Sequence, residues 1–165
     1  MAEQPSNEKA LPRDLPLGPP RWVDPYCGIP FREEPESSDG LNCWALVRRV
    51  LHEQLGIHLD RYGEISAANL MACARAFAEG RESYSDFIEI PREERARVKA
   101  YDLVLMRNFE RERGSHKIPS HIGIMVNSAF MLHAQEKSLS CCVRVDQPDI
   151  WARVISFHRH KALTP

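Results

Sequence analysis

The chain has 165 residues, enough for one domain and too few for two comfortable ones. It is 43% apolar and 27% charged, a balance that suits a packed core and excludes global disorder. The net charge of −1 offers no electrostatic argument for nucleic acid, and no apolar run is long enough for a membrane span.

Residues 1–21 contain Pro5, Pro12, Pro16, Pro19 and Pro20 and few aromatics, so they read as a flexible Pro-rich arm. They lack the apolar stretch of a secretory signal, and the expectation is synthesis in the cytoplasm without a signal peptide. Residues 22–165 are expected to form the single domain. Trp22 to Phe31 is a compact leading segment, and Arg32 to Asp39 is a polar, acidic loop. The spacing of Trp44, Val47, Val50, Leu51 and Leu55 predicts a helix from Asn42 to Gln54, capped by Asn42 and closed by Gly56. Ser66, Leu70, Ala74, Phe77 and Gly80 predict a second helix over 67–79. Arg92 to Lys99 predicts a short charged helix or turn.

The period then changes. Asp102 to Met106 is a short apolar run, expected as a buried strand, and Arg107 to Pro119 is a basic loop. His121–Val126 and Phe130–Ala134 predict two strands joined by a hairpin turn at Asn127-Ser128-Ala129. Cys142–Val145 and Val154–His158 predict two more. Helices first and antiparallel strands afterwards make an α+β domain, with N-terminal helices packed on an antiparallel sheet.

Five cysteines, Cys27, Cys43, Cys73, Cys141 and Cys142, without a signal segment argue against a disulfide framework. No C-x-x-C pair suggests zinc. His158 and His160 could bind a metal, but a solvated C-terminal edge is the stronger expectation. Cys43 differs from the other cysteines because it opens the first predicted helix. Unpaired N–H groups and the helix dipole there favour a thiolate, so its pKa is expected to fall. A histidine alongside would take and return the proton. Pairing residues whose numbers sum to 254 sets His121 directly opposite His133. On this register Gly123 leaves room for the helix carrying Cys43. Cys43 is then the candidate nucleophile, His121 the base and His133 the orienting group.

Blocks in this order resemble one family. They are Tyr26-Cys27-Gly28-Ile29-Pro30-Phe31, Gly40-Leu41-Asn42-Cys43-Trp44-Ala45-Leu46-Val47-Arg48, Tyr101 to Met106, Ser120 to Ile124, and Leu132-His133-Ala134. Together they are similar to the NlpC/p-sixty cysteine peptidases, most of all to a phage-tail branch. The resemblance implies a papain-like fold and cleavage of peptidoglycan stem peptides, commonly between D-glutamate and a diamino acid. It implies Cys43, His121 and His133 as the triad and Tyr26 as a hydroxyl near the oxyanion site. It implies no metal or organic cofactor. Asn42 stands where the family usually has Asp, Ala45 and Tyr101 where it usually has Gly. The expected partners are stem peptides and other phage-tail proteins, and the expected location is a virion tail acting on the cell wall. Two alternatives use the same fold: a non-enzymatic tail-assembly protein, and an acyltransferase or thioesterase.

Overall fold

The computed structural model describes residues 17–33, 39–59, 87–107 and 121–165. Helix α1 spans Cys43–Leu55. Asn42 caps it as expected, its Oδ1 accepting the Ala45 N–H at 2.8 Å. Gly56 ends it in the left-handed region at φ 66°, a conformation that costs glycine little. The predicted helix over 67–79 and the basic loop after Arg107 lie outside the described residues.

Among the described residues six strands follow: β1 (Phe87–Pro91), β2 (Leu103–Met106), β3 (His121–Met125), β4 (Phe130–His133), β5 (Cys141–Arg144) and β6 (Val154–His160). They form one antiparallel sheet in the order β1-β6-β2-β3-β4-β5. The domain is therefore α+β. Strand β1 has no counterpart in the sequence reading. Its burial is irregular, among the described residues its one strand partner is β6, and it ends on Pro91, which suits an edge. A short helix, α2 (Pro148–Trp151), leads into β6. Residues Arg92–Arg97 form a 3₁₀ turn, as the charged segment suggested.

Alternation along the strands divides the sheet's two faces. Leu103, Leu105, Ile122, Ile124 and Leu132 pack with Leu46, Val47, Val50 and Leu51 of α1. Val104, Met106, Met125, Met131, Val154 and Phe157 form a second apolar cluster with Ile90, Val98 and Ile150. Between the two layers, Asp102 is fully buried and bound by Arg159 through two hydrogen bonds of 2.8 and 2.6 Å. The next residue back, Tyr101, sits at φ 70°, which is costly for a residue with a Cβ. Its ring stacks on Trp22 at 5.2 Å, a contact a glycine could not make.

The β3–β4 hairpin keeps the predicted loop and shifts the predicted register. Val126 N–H donates to Phe130 O across Asn127-Ser128-Ala129, and Asn127 Oδ1 accepts the N–H groups of Ala129 and Phe130, each at 2.9 Å. The loop is thus centred on Ser128. Gly123 lies opposite His133, and paired numbers sum to 256. A shift of two keeps every side chain on its expected face. It moves His121 from directly opposite His133 to the diagonal. Gly123 makes room for neighbours on the sheet rather than for α1: a Cβ there would meet Leu132 O at 3.1 Å and His133 Cβ at 3.4 Å. Of the arm, residues 1–16 lie outside the described residues, and Gly18 O accepts a hydrogen bond from Asn127 Nδ2 at 3.1 Å.

Asn127 therefore holds the loop that aligns β3 and β4. Asn127→Ala removes three hydrogen bonds and should lower stability by about 1–2 kcal/mol, read as an earlier urea midpoint. Asn127→Asp keeps the two accepted bonds and should lose less.

Candidate active site

The start of α1 is held by a close approach of backbone. Leu41 N–H donates to Pro30 O at 3.0 Å, and Arg32 N–H donates to Leu41 O at 3.2 Å. A Cβ at Gly40 would lie 2.5 Å from Pro30 O, so only glycine lets these strands of chain touch. Asn42 Nδ2 also donates to Glu33 O at 3.1 Å. This frame sets Cys43 at the first turn of α1, against Ile122 of β3. The backbone N–H groups of Ile122, Trp44 and Cys43 itself point at its sulfur. They favour the thiolate, but burial outweighs them and raises the thiol pKa. The expected lowering is thus reversed: at 8% exposure, desolvation is the larger effect.

His121 and His133 are both buried, and His121 Nε2 lies 2.9 Å from His133 Nδ1. The diagonal register still brings the rings together because side chains lean along the strands. His133 is then met from its other side. Cys141 lies directly across from it on β5, with Sγ 3.6 Å from His133 Nε2. Arg153, only 2% exposed, donates from Nε to Arg107 O at 2.9 Å and from its guanidinium to Gln135 Oε1 at 3.3 Å. Burial first, then charge, lowers both imidazole pKa values. His121 is held well below the usual range by desolvation, His133 and Arg153, and His133 is lowered to about 4 by desolvation and Arg153. Sequence reasoning missed Arg153 and Cys141. The separation of His133 and Cys141 by eight residues across a short β4–β5 connection was the available signal for the latter.

The structure brings the two histidines together and sets Cys43 beside the residue that follows His121. Among the described residues no hydrogen bond joins Cys43 to either imidazole. Tyr26 is elsewhere. Its hydroxyl donates to Glu53 Oε2 at 2.8 Å and accepts from Gln54 Nε2 at 3.0 Å. Those residues are ten and eleven positions along α1 from Cys43, roughly 15 Å down the axis. The expected place beside the oxyanion is therefore wrong for Tyr26. The 3₁₀ turn Arg21–Tyr26 lays its aromatics across the C-terminal part of α1, and the chain then doubles back through Gly28 at φ 80°. Phe31, which has no hydroxyl, is the aromatic brought next to the helix start, through its bridge to Leu41.

The same segment pairs with the β4–β5 connection. Gly28 N–H donates to Ser140 O at 2.7 Å, Ser140 N–H to Ile29 O at 2.8 Å, and Ser140 Oγ to Tyr26 O at 2.6 Å. Between them opens a cleft of about 290 Å³ lined by Pro30, Phe31, Arg32, Lys137, Ser138 and Leu139. The sequence-predicted His158–His160 edge is partly corrected too. His158 is buried and its Nε2 lies 2.9 Å from Ser156 Oγ.

A helix that begins on a cysteine and packs on an antiparallel sheet bearing an imidazole pair is the papain-like α+β arrangement. Residues 28–159 match the model of the NlpC/P60 family, and the chain belongs to that family. Its members are generally cysteine peptidases acting on peptidoglycan. A solved structure described as similar to lipoprotein, NLP/P60 family, from Staphylococcus aureus subsp. aureus Mu50, superposes with a TM-score of 0.53 at 16% identity. The match covers 84% of this chain and 38% of that one, and likeness at this identity carries the fold alone. Among curated proteins none is a match.

Two outcomes follow from the burial. An imidazole whose folded pKa is depressed takes up its proton less readily than in the unfolded chain, so stability is lost as pH falls from about 6.5 towards 4. For His133 the full effect is about 3 kcal/mol. His133→Gln should flatten this part of the stability–pH curve, measured by urea midpoints at pH 7 and pH 4.5. Iodoacetamide with peptide mapping should label exposed Cys27 ahead of Cys43 in the free protein, because Cys43 is buried and its pKa is raised. Faster labelling of Cys43 would show that its sulfur is reached and ionised despite the packing.

Proposed function

We propose that the protein is a cysteine endopeptidase cleaving peptidoglycan stem peptides at a D-glutamyl–diamino acid bond. Cys43 is the nucleophile, His121 the general base and His133 the group that orients His121. The observation that carries this is the 2.9 Å contact between His121 Nε2 and His133 Nδ1, with Cys43 packed beside Ile122. The contact occupies Nε2 of His121 and leaves Nδ1 as the atom for the Cys43 proton. Catalytic hydrogen bonds are often long in a free enzyme and tighten only when substrate is bound.

Because both groups are neutral at rest, attack is concerted. The S–H proton passes to His121 Nδ1 as the Cys43 sulfur bonds to the amide carbonyl. The imidazolium then protonates the leaving amine, and an acyl-enzyme remains. Water, deprotonated by His121, releases the acid and restores the thiol. The cleft beside Phe31 carries Arg32 and Lys137, whose charge suits a carboxylate-bearing peptide. The resemblance of the Gly40–Arg48 block supports a role as a phage or prophage tail component, with other tail proteins as partners and the cell wall as its place of action.

Incubation with purified muropeptides and mass analysis of the products tests the proposal. Cys43→Ala should abolish cleavage and His121→Ala should lower the rate by roughly two to four orders of magnitude. His133→Gln should retain activity, since an amide can still orient His121. Intact muropeptides after incubation with the wild-type protein would overturn the peptidase reading.

A further inference from the structure

We propose that Cys141 is a positioning residue that selects the tautomer of His133 by accepting its Nε2–H at Sγ. The inference rests on the peptidase reading for its catalytic meaning, but its geometry is independent of it. His133 has neighbours at both ring nitrogens: His121 Nε2 at 2.9 Å from Nδ1, and Cys141 Sγ at 3.6 Å from Nε2. Cys141 is fixed there by strand pairing, directly opposite His133.

A neutral imidazole carries one N–H, so the three side chains can be strung together in two ways. In the first, His133 Nε2–H donates to Cys141 Sγ, His133 Nδ1 accepts from His121 Nε2–H, and His121 Nδ1 is a bare lone pair. In the second, the Cys141 S–H donates to His133 Nε2, His133 Nδ1–H donates to His121 Nε2, and the remaining proton of His121 lies on Nδ1. Only the first string leaves a base to take a proton from Cys43. It is also the string that survives when His121 becomes an imidazolium, since Nε2–H then needs an acceptor at His133 Nδ1.

The charges around the pair explain why the tautomer needs a selector. Arg153 is the cation that acts on both rings, and neither ring has a carboxylate partner among the described residues. A carboxylate beside His133 would draw the proton to the nearer nitrogen by charge; here a polarisable sulfur does this without adding a charge.

The test uses the full chain, labelled with nitrogen-15. A two-bond proton–nitrogen correlation spectrum at pH 7 should show His133 protonated on Nε2 in the wild type. Cys141→Ser keeps an acceptor and should keep that tautomer; Cys141→Ala should give a mixture. On muropeptides, Cys141→Ala should lower kcat about tenfold with KM unchanged, and Cys141→Ser should restore it to within about threefold. A merely packing role would not be rescued by serine or move the tautomer. His133 protonated on Nδ1 in the wild type, or unchanged in Cys141→Ala, would overturn the proposal. If the wild type cleaves no muropeptide, the peptidase reading falls and the spectra alone decide the role of Cys141.

Discussion

The three-residue loop between β3 and β4 is the constraint on which the histidine pair depends. Asn127 folds the loop by accepting two successive backbone N–H groups, and this centres the hairpin on Ser128. Everything on the strands follows from that centre. Gly123 falls opposite His133, and the missing Cβ lets the ring settle against the sheet. His121, two residues away, reaches the same ring along the diagonal. A loop longer or shorter by one residue would send one histidine to the opposite face and into the layer that packs on α1.

The electrostatics of the pair run against a preformed ion pair. Ordinary values of 9.0 for a thiol and 6.5 for an imidazole already leave proton transfer from Cys43 to His121 about 3 kcal/mol uphill. Burial raises the first value and lowers the second, and Arg153 lowers the second further. The dipole and backbone N–H groups at the start of α1 act in the other direction, but the loss of hydration around the buried sulfur is the larger effect. Helix position and desolvation compete at every buried cysteine at a helix start, and the depth of burial decides between them.

That competition explains what could and could not be read from the chain. Helix α1 was legible to its caps, because the apolar spacing, Asn42 and Gly56 are local signals. So was the face on which each β3 and β4 residue lies, because alternation survives an even shift of register. The register itself was not legible, since it depends on which residue Asn127 bonds to. The thiol pKa was misjudged because burial is a property of the assembled layers. Tyr26 was misplaced for a different reason: the family resemblance set it near the oxyanion site, while the turn through Pro25 and Gly28 carries its hydroxyl to the far end of the helix. Arg153 gave no local signal, because its meaning comes from two strands that lie elsewhere in the chain.

The two halves of the site are built by different means. The cysteine is placed by a helix cap and a glycine that lets backbone touch backbone, and both act within a dozen residues of Cys43. The imidazoles are placed by strand pairing, and their supports, Cys141 and Arg153, arrive from the last quarter of the chain. The halves meet at the first residues of β3, where Ile122 lends its N–H to the sulfur and His121 turns its ring to His133. Ser120, just before that junction in sequence, opens the block Ser120 to Ile124 that resembles the family. Strand β3 is thus both the wall against which Cys43 packs and the carrier of His121, so a displacement of β3 along its length moves the surroundings of both at once.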